Sequence, residues 1–377
     1  MVTNANLFAR TRLINFLTIK ISNNSIVSFE TLIHVGLSTT KAEELWNRWT
    51  HWERGEYDPR RETDPDDGGL TVMFDDFIIG WSVENRVDAV GDDDDKWREC
   101  LDACGINAAT QDAIMDPNFA HIRRSNSCLY WAKETIEMRY RGLSETQPST
   151  SNSQQPTTPE TDFNNQPPLN KPGYTTLFKS IDRGQITRLL DQNGKLDGTG
   201  AILSSAPSDF SGTRSLFYFT PDHNLARHQA AYAKRHAPHE SIAIISLLIP
   251  NTAIETLPSP DLQMVSWPSN EWKELLWHSR NQKPFPPHLR KYRDATLVIG
   301  TAAYGADAIY QGMRTWEEAG EENVFWVGKR GKGEGAVQYV FSAEREGYDF
   351  LTEHAEDVKV IPFTAGALEE FLADPAG

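Results

Sequence analysis

The spacing of apolar residues changes midway along the chain, from a helical period to strand-like runs. Up to about residue 144 the apolar positions recur at helical spacing, as in Leu45, Trp46, Trp49 and Trp52. Such spacing places apolar side chains on one broad face of a helix. We therefore predict a mainly helical domain over residues 1–144. The helical patterns span residues 42–53, 70–90, 96–104 and 119–141.

The composition changes sharply between residues 145 and 173. This segment is rich in Ser, Thr, Gln, Asn and Pro and contains few large apolar side chains. It cannot bury enough apolar surface to offset the conformational entropy that ordering would cost. We predict a flexible, disordered linker there, which separates the helical domain from a second domain at 174–377.

Short apolar and β-branched runs with turn residues between them dominate the second half. The run at 241–249 (SIAIISLLI) is apolar almost throughout and ends at Pro250, which predicts a central strand buried on both faces. Many strands with few helices favour an α+β domain over a doubly wound parallel sheet. The other predicted strands are 175–179, 216–220, 295–299 (ended by Gly300), 324–327, 337–341 and 358–362, and the predicted helices include 186–190, 270–279 and 344–354.

Residues 209–236 combine a strand, a tight turn and a helix. Pro221 and Asp222 end the strand, because proline donates no backbone hydrogen bond. Asp222 or Asn224 can then cap the following helix. Polar side chains gather near this corner, which makes it the first candidate for a functional site. They are Asp209, Arg214, Tyr218, Thr220 and Arg227.

Charge and cysteine content narrow the class of protein. The net charge of −16 disfavours adhesion of the whole chain to nucleic acids or membranes. Residues 174–300 are the exception, with 14 Lys and Arg against 11 Asp and Glu, so an anionic ligand could be attracted there. With three cysteines, no evident signal peptide and no apolar run of about 20 residues, we predict a reducing, cytoplasmic location without membrane contact.

Two further motifs have plain structural interpretations. Cys100, Cys104, His121 and Cys128 could hold zinc, but cysteines four apart without a CxxC motif are more often buried thiols, and we predict no metal. The segment GKRGKGEG at 328–335 lacks the residue order of a P-loop. We predict a mobile hairpin loop there, which could lie over a phosphate and whose one carboxylate is Glu334.

Five motifs in the second half resemble those of ADP-ribosyltransferase-like domains, in particular of a poorly characterised microbial and fungal group. The most distinctive is DFSGTRSLFYFTPDHNLARHQAAYAKR at 209–235, which is similar to the family's DFG-x-GFYLT-type signature. The others keep the family's order, and the resemblance covers residues 174–352. They are TTLFKS at 175–180, SNEWKELLWHSR at 269–280, DATLVIGTAAYGAD at 294–307 and EGAVQYVFSAEREGYDFL at 334–351.

The resemblance implies a split antiparallel β-sheet around a nicotinamide-dinucleotide cleft. Active members of the family place a His or Arg on the first strand, a Tyr or Ser on the second and a Glu on the last. Tyr218 matches the second position, whereas Lys179 and Gln338 stand where the family has His and Glu. The family's Glu stabilises the cation that develops at the ribose, which a neutral Gln does less well. Glu334 could supply this carboxylate if its loop folds inward.

The first functional hypothesis is a transferase that acts on a nucleotide-type donor such as NAD. The resemblance makes Tyr218, Lys179, Gln338 and Glu334 its catalytic candidates, with electrostatic positioning as the source of catalysis. Lys179 or Arg227 would lie near the donor phosphates. The predicted substrate-binding residues are Asp209, Arg214, Thr220, Arg227, Glu271 and Arg280.

Two alternatives belong to other classes. The chain is similar, in general character only, to fungal tRNA-dependent synthases of arginine-containing cyclodipeptides, in which case Glu271 or Asp209 would receive a guanidinium group. It could also be a catalytically silent binding module, with the Trp-rich helical half docking a partner. The sequence does not predict an oligomeric state.

Overall fold

A computed structural model describes residues 26–51, 73–145, 171–182, 189–191, 194–327 and 333–374. The predicted linker lies mostly outside these residues. Of the residues predicted to form the linker, the structure describes Glu145, which still belongs to a helix, and residues 171–173, which form a turn. The described chain is a mixed α+β structure, which confirms the α+β class of the prediction.

The described residues of the first half are mainly helical, although the helix predicted at 70–90 ends already at Ser82. Polar side chains set the starts of several helices: Ser38 Oγ accepts a hydrogen bond from Lys41 N at 3.2 Å, and Asp93 accepts one from Lys96 N at 3.2 Å. The described helices of this half are α1 (Phe29–His34), α2 (Thr39–Thr50), α3 (Phe74–Ser82), α4 (Asp94–Ala103), α5 (Ala108–Ile114), α6 (Ala120–Arg123) and α7 (Cys128–Glu145).

The predicted single helix at 119–141 is in fact two. The helix is interrupted at residues 124–127, between α6 and α7. The Asp88 carboxylate accepts hydrogen bonds from Ala89 N at 2.8 Å and Leu129 N at 2.9 Å. This contact with a distant part of the chain places the start of α7, and local periodicity could not reveal it.

The three cysteines lie in the core of the helical half. Cys100, Cys104 and Cys128 are buried against Trp97 and other apolar residues, as small apolar side chains commonly are. His121 is not part of this cluster. Its ring stacks on the Tyr304 ring, with the ring centroids 4.9 Å apart. Among the described residues, no group of three or more His, Cys, Asp or Glu side chains is arranged to hold a metal ion.

The second half contains two sheets. The first has the order β1 (Tyr174–Asp182), β4 (Ile242–Pro250), β8 (Glu356–Phe363), and both pairings are antiparallel. The middle strand β4 is buried along its length up to Ile249, as its continuous apolar sequence predicted. This burial explains why the strand tolerates no polar face.

The second sheet has five strands with antiparallel pairing except at one edge. Its order is β2-β3-β7-β6-β5, and only β5 and β6 run parallel. Its strands are β2 (Leu203–Ser204), β3 (Leu216–Phe219), β5 (Leu262–Val265), β6 (Leu297–Thr301) and β7 (Val337–Ser342). The helices that pack on the two sheets are α8 (His223–His236), α9 (Asn251–Glu255), α10 (Asn270–Arg280), α11 (Arg290–Arg293), α12 (Asp307–Gly312), α13 (Arg345–His354) and α14 (Ala365–Ala373).

The two sheets meet at one isolated bridge between β1 and the end of β3. Phe178 N donates to Thr220 O at 2.7 Å, and Thr220 N donates to Phe178 O at 2.9 Å. The strands diverge on either side of this bridge, because β1 then pairs with β4 and β3 with β7. The bridge therefore brings Lys179 next to the end of β3.

In the second half one predicted strand ends at a different residue, one predicted strand is wrong, and one predicted helix is not helical where it is described. Gly300 does not end its strand, which continues to Thr301. Residues 324–327 form only two isolated bridges, through Val324 and Trp326, and no strand. Leu190 makes a bridge to Leu196 and is not helical, while the rest of the predicted helix, residues 186–188, lies outside the described chain.

The helical half packs tightly against the second half. One apolar cluster combines Phe119, Ile122 and Met138 with Phe178 and Tyr232. A buried hydrogen bond from Tyr232 Oη to Ile114 O, 3.0 Å long, crosses the same interface. The two halves therefore share a core. None of the helices in the described ranges is long and apolar enough to cross a membrane.

Candidate functional site

A cleft of about 380 Å³ lies where the two sheets meet and the helical half covers them. Its floor is built by β1, β3, β7 and the segment that precedes β3. Its other wall is built by α7 and α8, which face the strands across the opening. A cavity of this size matches a small-molecule site.

The Asp209 carboxylate is the centre of a closed hydrogen-bond network in the floor. Its Oδ1 accepts from Arg280 Nε at 2.9 Å, and its Oδ2 accepts from Ala303 N at 2.7 Å and from Gln338 Nε2 at 2.9 Å. Asp209 is 6% exposed and Gln338 is 9% exposed. Such partners offset the cost of removing a carboxylate from water. The next residue, Phe210, has φ 61°, an uncommon value for a residue with a side chain.

Arg280 balances two carboxylates at once. Its guanidinium also donates to Asp307 Oδ1 at 2.7 Å. Burial alone would lower the pKa of Arg280, but Asp209, Tyr310 and Asp307 outweigh it and raise the pKa. The guanidinium is therefore permanently charged, and Asp209, Arg280 and Asp307 together carry one net negative charge.

Tyr218 projects from β3 into the same cleft. Its hydroxyl donates to the backbone carbonyl of Asp209 and lies 2.8 Å from Ser208 Oγ. Burial raises the pKa of Tyr218 well above its usual range, even though the hydrogen bond with Ser208 acts in the opposite direction. Tyr218 is therefore a neutral hydroxyl at physiological pH, held in place by both neighbours.

Lys179 also lines the cleft. Within the described chain, no carboxylate forms an ion pair with its amine. Its amine donates to Ser204 Oγ at 3.0 Å and to the backbone carbonyl of Tyr218 at 3.4 Å. Burial lowers the pKa of Lys179 to about 8. The amine is thus mostly protonated at neutral pH but is close to its titration point, and an anionic ligand would stabilise its charge.

The wall from the helical half contributes a carboxyl group. Tyr130, Glu134 and Met138 are spaced four residues apart on α7 and line the cleft together with Trp131. Burial raises the pKa of Glu134 above its usual value. Arg141 and Lys133 act in the opposite direction, but burial outweighs them. No hydrogen bond or ion pair of Glu134 occurs in the described part of the chain.

His236, at the end of α8, also lines the cleft. The Thr135 hydroxyl donates its one hydrogen to Trp131 O at 2.7 Å and lies 3.1 Å from His236 Nδ1. The Thr135 hydroxyl is thus the hydrogen-bond partner of His236 Nδ1. Nε2 is buried and has no partner among the described residues. Burial, aided by Arg139, lowers the pKa of His236 to about 3, so the ring is neutral.

Six of the ten site residues predicted from the sequence line this one cleft. They come from β1, β3, β7, α10 and the segments that flank β3, so the chain brings them together from distant positions. They are Lys179, Asp209, Tyr218, Thr220, Arg280 and Gln338.

The other four predicted site residues lie outside the cleft. Glu334 is exposed and does not line the cleft, so it does not replace the family's Glu there. Arg214 pairs with Glu344 at 3.4 Å and borders a separate small cavity. Arg227 lies over the Phe371 ring at 5.9 Å and does not line the cleft.

Glu271, the fourth, is engaged on the surface of α10. It accepts hydrogen bonds from Lys291 Nζ at 3.0 Å and from the Tyr292 hydroxyl. Asp209, the other carboxylate considered for a guanidinium substrate, is already paired with Arg280 of the chain itself. Neither carboxylate is therefore available for an incoming guanidinium without loss of an existing pair.

The sequence analysis missed Glu134 and His236. Both belong to long helices whose periodicity indicates only that one face is buried. One signal was present for His236, since it follows Lys234 and Arg235 at the end of the helix, but cations there have an ordinary explanation in the helix dipole. Nothing local marks Glu134, because its role depends on contact between the halves.

No protein-family model matches the chain, and no curated protein or solved structure matches it either. The resemblance to ADP-ribosyltransferase-like domains therefore stays a prediction. The chemistry of the cleft is the basis for the functional proposal that follows.

Proposed function

We propose that the cleft is the active site of a transferase that acts on a nucleotide-type donor such as NAD. The observation that carries the proposal is the convergence of Lys179, Tyr218 and Gln338, from three strands, on one cleft. These are the three positions at which the family resemblance implies catalytic residues.

The charge of Lys179 supports a donor with phosphate groups. Its amine lies in a recess with no carboxylate to balance it within the described chain, and burial holds its pKa at about 8. A diphosphate would supply the missing negative charge. An ion pair of this kind is favourable because the amine has already lost most of its contact with water.

The Asp209 carboxylate supports cleavage of a bond that leaves a cation behind. It lies 2.9 Å from Gln338 Nε2, so a carboxylate is present beside the position where the family has Glu. The trio of Asp209, Arg280 and Asp307 keeps one net negative charge. Fixed charges of this kind stabilise a developing ribosyl cation without reorganisation. Tyr218 and Phe178 add ring surfaces against which a base could pack.

The proposal is tested by incubating the full chain with NAD labelled on its adenine ring. We expect release of free nicotinamide, together with labelled ADP-ribose or labelled protein. In the variant Lys179→Met, kcat/KM should fall roughly 10- to 100-fold, since one charge-assisted hydrogen bond contributes about 1.5–3 kcal/mol.

Lys171→Met is the matched control. Lys171 lies just before the same strand and covers the Tyr174 ring at 3.7 Å, outside the cleft. It should leave kcat/KM within twofold of the parent. Absence of any cleavage, labelling or NAD binding by the parent chain would reject the proposal. Binding of NAD without turnover would instead favour a catalytically silent binding module.

A further inference from the structure

The wall of the cleft on the side of the helical half combines a carboxyl group, two aromatic rings and an imidazole. Glu134 presents a carboxyl group with no partner in the described chain, and Tyr130 and Trp131 surround it with aromatic rings. His236 Nε2, buried and unpartnered within the described residues, belongs to the same lining. This wall thus contains two polar groups, Glu134 and His236 Nε2, that lack a hydrogen-bond partner in the described chain.

We propose that this wall is a subsite for a cationic nitrogen group, a primary amine or a guanidinium, on the acceptor substrate. Glu134 is its counter-charge, His236 Nε2 accepts one of its N–H groups, and the rings of Tyr130 and Trp131 contact its apolar stem. The term acceptor rests on the proposed function, whereas the binding of a cation does not.

Three physical arguments favour a cation over other ligands. A carboxyl group in a recess loses hydration, and a cation with N–H donors restores both its charge balance and its hydrogen bonds. Aromatic rings attract cations through their electron-rich faces. His236 Nε2 is buried without a partner among the described residues, and an N–H group of the ligand supplies one when Nδ1 carries the proton of the ring.

The position of Lys179 on the opposite side sets the orientation of the ligand. A cation is repelled from the Lys179 amine and attracted to Glu134, whereas an anion is attracted to Lys179. Burial raises the pKa of Glu134 and outweighs Arg141 and Lys133 on α7, which lower it, while both cations also lie near Glu137, at 3.8 Å and 3.7 Å. A further cation in the cleft would therefore still favour the ionised form of Glu134. We therefore expect an anionic ligand to bind near Lys179, on the strands, and a cationic ligand to bind near Glu134, on the helices.

The test compares ethylguanidine with N-ethylurea, a neutral probe of similar size. Binding to the full chain is followed by ligand-observed NMR and by Trp fluorescence. We expect ethylguanidine to bind at least tenfold more tightly than N-ethylurea. In Glu134→Gln this preference should disappear, and Glu134→Asp, which keeps the charge, should restore part of it.

Glu137→Gln is the matched control, because it removes a carboxylate one turn away on the same helix but not from the cleft lining. It should change the ethylguanidine affinity by less than twofold. Equal binding of both probes, a preference that survives Glu134→Gln, or no binding of ethylguanidine would overturn the inference. These results do not depend on NAD, so they are distinct from failure of the proposed donor chemistry.

Discussion

Lys179 shows how a single side chain acquires its properties from position alone. It follows the bridge residue Phe178, and this places its amine between Ser204 and the backbone of Tyr218. Neither contact supplies a negative charge. The lowered pKa of about 8 is therefore the direct result of burial, and it makes Lys179 sensitive to pH in a range where surface lysines are not.

This sensitivity predicts how the binding of an anionic ligand depends on pH. The charged form of Lys179 is present below its pKa and is lost as pH rises through about 8. We expect the affinity for ADP-ribose to fall as pH rises from about 7 to 9.5, with a midpoint somewhat above the pKa of the free protein. Isothermal titration calorimetry at a series of pH values measures this.

Lys179→Arg is the informative comparison for this prediction. Arginine keeps its charge throughout the range, so the decline in affinity should disappear in that variant. The same decline in Lys179→Arg would show that another group titrates and that the Lys179 amine is not the anion-binding charge.

At the scale of elements, the contact of helix α13 with strand β7 depends on a residue without a side chain. A Cβ atom at Gly347 would lie 2.1 Å from Ser342 O and 2.7 Å from Ser342 N. These are backbone atoms of β7 and cannot move without disturbing the pairing of β7 with β3, where Ser342 faces Leu216. Gly347 thus allows α13 to pack directly against the end of the strand.

Gly347→Ala should therefore destabilise the protein although alanine is the better helix former. Overpacking against backbone costs roughly 1–3 kcal/mol, which exceeds the gain in helix propensity of about 1 kcal/mol. Urea unfolding measures the free energy of unfolding. Gly312→Ala is the control, because nothing lies within 4 Å of a Cβ there, and it should be neutral or slightly stabilising. Equal stability of the two variants would contradict this account.

Local signals in the sequence were sufficient for most elements. The capping residues Ser38, Asp93 and Asp222 each accept a backbone hydrogen bond at the start of a predicted helix. The apolar run at 241–249 predicted the central strand β4, because a strand that is buried on both faces has apolar residues at almost every position. Elements fixed by distant contacts were not predictable, such as the start of α7, which depends on Asp88.

For the whole molecule, the decisive feature is the apolar core shared by the two halves. Helix α8 carries Ala226, Ala230 and Tyr232 into a cluster with Phe119 and Met138 of the helical half. Arg139 adds two hydrogen bonds to the carbonyl of His236, one of them 2.9 Å long. A core that spans both halves couples their stabilities.

We expect the two halves to unfold in a single cooperative transition. Trp97 is buried in the helical half and Trp272 in the second half, so Trp97→Phe and Trp272→Phe each remove one buried fluorophore from one half, while other tryptophans still report on both halves. In each variant, the fluorescence of the remaining tryptophans and the circular dichroism signal should give the same urea midpoint. Separate midpoints would show that the halves fold independently.

Tyr232→Phe, which removes the cross-interface hydrogen bond to Ile114 O, should lower the stability of both halves by about 1 kcal/mol. Tyr348→Phe, whose hydroxyl makes only an exposed contact of 3.4 Å, is its control and should be close to neutral.

The same coupling explains which part of the candidate site the sequence could predict. Lys179, Tyr218 and Gln338 belong to motifs of one half, so the order of those motifs was enough to select them. Glu134 and His236 complete the cleft through contact between the halves, and no pattern within either segment encodes that contact.

The bridge between Phe178 and Thr220 has one further consequence. Only two backbone hydrogen bonds join the sheets there, and the adjacent Lys179 amine rests on the carbonyl of Tyr218, two residues before Thr220. The sheets are also held together by an apolar cluster in which Leu177 and Ile245 pack with Phe217 and Phe341. A ligand that draws the amine away from the carbonyl therefore removes a polar contact between β1 and β3 while the apolar packing of the sheets persists, and we expect the response of the protein to occupancy to be confined to the rim of the cleft.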